Sequence, residues 1–107
     1  MRATQAVPRR IVAPGELGLD TRIPFRESAI AELGAMPEGA LLAIDCSKTR
    51  RIDSAGLSAL MLIHRHATDR GQRVAIEGVS DEFRFLLALT RMDLLFELPA
   101  LTVSGKP

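Results

Sequence analysis

The stretch RRIDSAGLSALM, Arg50 to Met61, sets a lone serine, Ser54, between an acid, Asp53, and an apolar run. A hydroxyl so placed can act as a nucleophile, cap a helix, or accept a phosphate. Nucleophilic catalysis needs a base within hydrogen-bond reach. The only histidines are His64 and His66. If the apolar run is a straight helix, His64 lies about 15 Å from Ser54 along the axis, and His66 lies further still. The strained elbow G-x-S-x-G is also missing. No catalytic residues are assigned, and an enzyme is not expected. His64 and His66 are two apart and point to nearly opposite helix faces, so they cannot hold one metal ion. One is expected at the core edge and the other in solvent. Cys46 has no partner motif and reads as a small buried residue. No phosphate-cradling or dinucleotide-binding glycine pattern is present. Neither a metal nor a cofactor is expected.

These residues need elements to position them. ALLAID, residues 40–45, is a continuous apolar run of strand length, as in a strand buried on both faces and therefore central. The loop CSKTRRID follows. A helix is expected from about Ser54 to Arg70, with Gly71 as its C′ residue. RVAIEG is the next buried strand. Strand, helix and strand in about 35 residues make a βαβ unit, whose strands should be parallel with a right-handed crossover. Upstream, RRIVAP reads as a short edge strand stopped by Pro14, and GELGLDT as a turn and an extended piece. A helix is expected over residues 24–36, with Pro24 in its first turn, Thr21 or Asp20 as cap, and Phe25, Ala29, Ile30 and Leu33 inward. Ser80 should cap a third helix, with Asp81 and Glu82 at its positive end and Phe83, Leu86, Leu87 and Thr90 inward. LLFELPALTV could add a last short strand or edge.

In the middle helix, Leu57, Leu60, Met61 and His64 share one face, while Ala55, Ala59, Leu62 and Ile63 lie largely elsewhere. Its first half is thus apolar nearly all round. Either it is buried on two sides, or an apolar patch beside Ser54 is partner surface. Ala55 and Gly56 would keep the helix start low and flat, and Ser58, one turn on, could line the patch.

The chain as a whole bounds the classes. Its 107 residues suit one domain with a core of its own. The longest apolar stretch, Leu57–Ile63, falls far short of the roughly 18 residues of a membrane span, so membrane insertion is not expected. The N-terminus lacks the apolar centre of a signal peptide. A single cysteine allows no internal disulfide, which points to the cytoplasm. A net charge of +1, with four Phe and no Trp or Tyr, gives neither a field nor stacking surface for nucleic acid. Residues 1–8 are expected to be disordered, residues 9–99 a single domain, and residues 100–107 a tail.

The chain from about Ile11 to Leu98 resembles a STAS domain of the bacterial anti-sigma factor antagonist family. The resemblance is carried by AID at a strand end, IDSAGLSAL, a helix ending in DRG, the strand VAI, and LTRMDLLFEL, with PGELGLDT similar to the family's early turn. It implies an α/β fold with a small mixed sheet of four to five strands and about three helices. It implies that Ser54 is the phosphate acceptor, and that the partners are an anti-sigma factor with serine kinase activity and a serine phosphatase. The unmodified form would bind the kinase and the phosphorylated form would let go. The partner-binding residues would be Asp20, Arg50, Arg51, Asp53, Ser54, Ala55, Gly56, Leu57, Ser58 and Met61. The chain departs from the family in two places. Gly18 stands where the early turn usually has Asp, with Asp20 a substitute, and Arg91–Met92 replace a Gly-Leu pair after the third helix. An alternative is a STAS subunit of a bacterial lipid-trafficking ABC transporter, which binds the transporter's ATPase and often has Thr at the position of Ser54. A monomer is favoured.

Overall fold

The apolar run at residues 41–44 becomes the middle of the molecule. A computed structural model describes residues 9–98. In it β3 (Leu41–Asp45) lies between β1 (Arg9–Val12) and β5 (Arg73–Glu77). Leu42, Ala43 and Ile44 are all buried, as expected of a strand flanked on both edges. Both ladders are parallel, with Ile44 opposite Ile11 on one side and Ile76 on the other. A parallel neighbour has to be reached by a crossover. Helix α1 (Arg22–Gly34) supplies one, from β1 to β3, and helix α2 (Ser54–Asp69) supplies the other, from β3 to β5.

The reading of CSKTRRID as a loop misses a strand. β4 (Arg51–Ile52) pairs in parallel with β2 (Glu16–Leu17), forming a separate two-stranded ladder. Two residues are too short to show any hydrophobic period, so the pairing leaves no sequence signal. With α3 (Asp81–Leu89) the described residues form an α/β domain of five strands and three helices. Every ladder among the described residues runs parallel, so the mixed character expected of the sheet does not come from them. After α3 come a 3-10 turn, Met92–Leu94, and one parallel bridge from Glu97 to Ala75. Of the last strand expected in LLFELPALTV, only that bridge falls within the described residues. The expected disordered start and tail lie outside them.

Phe25, Ala29 and Leu33 of α1, Leu60 and Ile63 of α2, and Phe83 and Leu87 of α3 join Leu42, Ile44, Val74 and Ile76 in one core. Those four strand residues alternate along their strands and share one sheet face, so all three helices cover the same side. Each fully buried Leu or Ile contributes about 1.5–3 kcal/mol. On the other face the Arg10 guanidinium reaches from β1 across β3 to the Glu77 carboxylate of β5 in a forked pair at 2.9–3.1 Å.

Helix ends follow the local chemistry with corrections. α1 begins two residues before the expected Pro24. Thr21 is its N-cap residue, but its side chain makes no cap. Its hydroxyl instead donates to the Glu16 carbonyl at 2.7 Å and accepts from the Gly18 N–H at 3.0 Å. α2 closes at Asp69, with Gly71 beyond it at φ +69°. Ser80 caps α3 by accepting from the Phe83 N–H at 3.0 Å. The buried Gln72 donates to the Leu33 and Met36 carbonyls, both at 2.9 Å, and satisfies the C-terminal end of α1.

Candidate functional site

The site is where α2 starts. Asp53, not Ser54, is the N-cap. Its backbone is extended, and its Oδ1 accepts the Gly56 N–H at 3.0 Å. Of the alternatives for Ser54, the cap is not realised: the acid one residue earlier takes the task. Ser54 is the first residue of the helix and is exposed. Among the described residues its hydroxyl makes no hydrogen bond.

Asp53 also ties down a second segment. Its Oδ2 accepts weakly from the Leu19 N–H at 3.4 Å, and its own N–H donates to the Leu17 carbonyl at 3.3 Å. The β2–α1 loop is thereby fastened to the helix start. The Gly56 N–H bond, with those from Leu19 and Ala55, holds the Asp53 carboxyl below the usual aspartate range, against a smaller opposing effect of desolvation. Asp53 stays ionised at neutral pH.

Glycines allow the approach. Gly56 is buried, and an added Cβ there would run into the Leu17 carbonyl oxygen. Gly56 therefore does not flatten the outer surface as expected. It faces inward and lets α2 lie against β2. Gly18 packs on the Asp53 carboxylate.

The other expected surface residues spread around this start. Arg50, in the loop before β4, and Arg51, its first residue, are both exposed. Arg51 makes a loose ion pair with Glu16 at 3.7 Å; both side chains are open to water, so the pair adds little. Asp20 is exposed and shares with Leu19, Arg51 and Asp53 the lining of a cleft of about 370 Å³. Ser58 and Met61 are exposed, whereas Ala55 and Leu57 are half-buried. The buried stripe of α2 is Gly56, Ala59, Leu60, Ile63 and Ala67. Ala59 and Ile63 point to the core, while Met61 and Leu62 remain over one-third exposed. A run apolar nearly all round carries no clear period, so composition could not orient it.

The remaining reactive side chains stand elsewhere. His64 lies edge-on to Phe96, with ring centroids 5.4 Å apart, and reaches Thr68 at 3.4 Å. His66 is half-buried, not in open solvent as one histidine was expected to be. Cys46 is buried, and desolvation pushes its thiol up to about 12. At neutral pH it is a protonated, apolar filler.

The described residues thus form a small α/β domain with an exposed serine on the first turn of a helix that the preceding residue caps. The chain belongs to the STAS family described as "Mlab, STAS domain", whose model matches residues 2–98. No curated protein sequence shows a significant match. Among solved structures it is similar to a Thermotoga maritima protein assigned as an anti-sigma factor antagonist, with a TM-score of 0.68 and 20% identity over 83% of this chain and 77% of that one. It is also similar to a sulfate transporter family protein from Wolinella succinogenes, with a TM-score of 0.66 and 17% identity over 87% of this chain and 78% of that one. At such identities the likeness establishes the fold alone.

The second departure from the family pattern now has a structural reading. Arg91 adopts φ +64°, the left-handed conformation that glycine adopts freely. The turn after α3 takes a conformation that suits a glycine with an arginine in it, and the backbone carries the cost.

Proposed function

We propose that this protein is an interaction module of the anti-sigma factor antagonist kind, without enzymatic activity, whose binding is controlled by phosphorylation of Ser54. The unmodified form binds an anti-sigma factor that is also a serine kinase, phosphorylation releases it, and a serine phosphatase restores it. The observation that carries this reading is the division of labour at the start of α2. Asp53 makes the cap, so the Ser54 hydroxyl is exposed and free for modification.

The electrostatics fit a switch that acts on docking and leaves the fold intact. A phosphate on Ser54 would bring about −1.5 to −2 charges to a helix N-terminus. The dipole favours an exposed anion there by roughly 0.3–1 kcal/mol. Asp53 opposes it, and Arg50 and Arg51 partly offset that. These effects are small and nearly cancel. The same dianion pressed against a partner without a paired cation costs several kcal/mol. The contact surface proposed is Asp20, Arg50, Arg51, Asp53, Ser54, Ala55, Leu57, Ser58 and Met61, with Gly56 acting from beneath.

A second reading is a STAS subunit of a lipid-trafficking ABC transporter that binds its ATPase. The match to the family described as "Mlab, STAS domain" favours it. The two separate in a pull-down of the tagged chain from its own cells, wild type beside Ser54→Asp, with partners identified by mass spectrometry. A serine kinase retained by wild type and lost by Ser54→Asp supports the switch. A transporter ATPase retained by both supports the second reading and refutes the first.

A further inference from the structure

Helix α3 turns an apolar surface to water that neither reading uses. Phe83 and Leu87 are buried, and the opposite face carries Asp81, Glu82, Phe85, Ala88 and Leu89, all exposed. Phe85 and Leu89 are one turn apart and are 63% and 64% exposed. Leu94, just beyond, is 70% exposed. These are the most exposed large apolar side chains of the described residues apart from Leu19, which lies in the β2–α1 loop.

The charges around this stripe are polar in the directional sense. The exposed charges are Asp81 and Glu82 at its N-terminal end and Arg91 at its C-terminal end; Arg84 and Asp93, of opposite sign to their neighbours, are half-buried. No ion pair among the described residues engages any of the three. Such a face is complementary to itself turned end for end. In an antiparallel pair about a two-fold axis between Phe85 and Leu89, Phe85 of each chain meets Leu89 of the other. The exposed acids of each then face the end of the other helix that carries Arg91. That is the reciprocity an isologous contact requires. The backbone at Arg91 adds an independent observation. A non-glycine residue at φ +64° carries a cost, and the side chain is what glycine would not supply.

We propose that the outer face of α3 is a homodimer contact, occupied by the same face of a second copy of this chain. The contact is short. A nine-residue helix offers less than the roughly 800 Å² per partner of a standard interface, so the dimer should be weak, with Kd on the order of 10–100 μM. It rests on α3 alone and is independent of the role of Ser54.

Sedimentation equilibrium of the full chain from 10 μM to 1 mM is the test. The weight-average mass should climb from 11.6 kDa towards twice that value. Phe85→Ser with Leu89→Ser should hold the chain at the monomer mass with an unchanged circular dichroism spectrum. Both residues are exposed, so the fold should tolerate the change. Glu82→Arg should weaken the dimer by about tenfold, and Arg91→Glu in that background should restore it. A wild-type chain that stays monomeric at 1 mM overturns the proposal. So does a dimer indifferent to Phe85 and Leu89.

Discussion

A Cβ placed on Gly18 would lie 2.6 Å from Oδ2 of Asp53, closer than side-chain atoms approach one another. Gly18 has no left-handed backbone that would demand glycine. It is there for space. The Asp53 carboxylate caps α2 and holds the Leu19 N–H only because nothing stands at position 18. Gly18→Ala should push this carboxylate away from the Leu19 or the Gly56 N–H. The expected cost is about 1–3 kcal/mol, with faster hydrogen exchange at the Leu19 and Gly56 amides. Urea unfolding and amide exchange would measure both. Gly18→Asp, which places the family's acid here, should cost at least as much, because it also sets two carboxylates together.

The division of labour between Asp53 and Ser54 makes their substitutions unequal. Ser54→Ala removes an exposed hydroxyl with no bond among the described residues and should change stability by less than about 0.5 kcal/mol. Asp53→Ala removes the cap and the tie to the β2–α1 loop, and should lower Tm by on the order of 5 °C. Ser80→Ala, which removes a serine that does cap a helix, should cost about 1 kcal/mol and calibrates the comparison. Thermal melts of the three variants check the order. Equal losses at Ser54 and Ser80 would return Ser54 to a capping role.

The same carboxylate sets a pH dependence. The Gly56 N–H bond leads in holding the folded Asp53 below the roughly 3.9 of an unfolded aspartate. A group lowered by folding contributes stability that is fully present above its unfolded value and is lost as pH falls through its folded value. Asp45 acts in the same direction, through its bond from the Ser47 N–H at 2.9 Å. Stability should therefore be flat from pH 5 to 8 in these two groups and should fall below about pH 4. Asp53→Asn should lie below wild type at pH 6 and approach it as pH falls through the lowered folded value of Asp53. Urea midpoints across that range give the comparison, and parallel curves would contradict it.

Arg91 offers a stabilising change. Glycine at φ +64° loses the left-handed penalty but adds unfolded-chain entropy, so Arg91→Gly should gain about 0.5–1 kcal/mol. If α3 pairs with a second copy, the same change should weaken the dimer while strengthening the monomer. Chemical denaturation at low protein concentration separates the two effects.

How far the sequence could be read depends on the kind of signal. Leu42, Ala43 and Ile44 form an unbroken apolar run and announced the central strand, and the caps and stops at Ser80 and Gly71 were legible from local chemistry. The family was legible because DSAGL stands at a strand–helix junction. The β2–β4 ladder was not, because pairing between Leu17 and Ile52 is a tertiary fact. The inner face of α2 was left open because a helix rich in Ala, Leu, Met and Ile on every side has no preferred direction until its neighbours are placed. Gly56 was open to a surface reading, and Gly18 was legible only as a departure from the family's acid. That each is needed for space became visible only with Leu17 and Asp53 beside them.

The central claim is that a phosphate on Ser54 decides partner binding. The most direct measurement is calorimetric titration of the kinase recovered by the wild-type chain with two ligands: the unmodified protein, and the same protein carrying phosphate on Ser54 alone. The account predicts a loss of at least about 100-fold in affinity on phosphorylation, roughly 2.7 kcal/mol, with unchanged circular dichroism. Equal affinity for the two forms would contradict it.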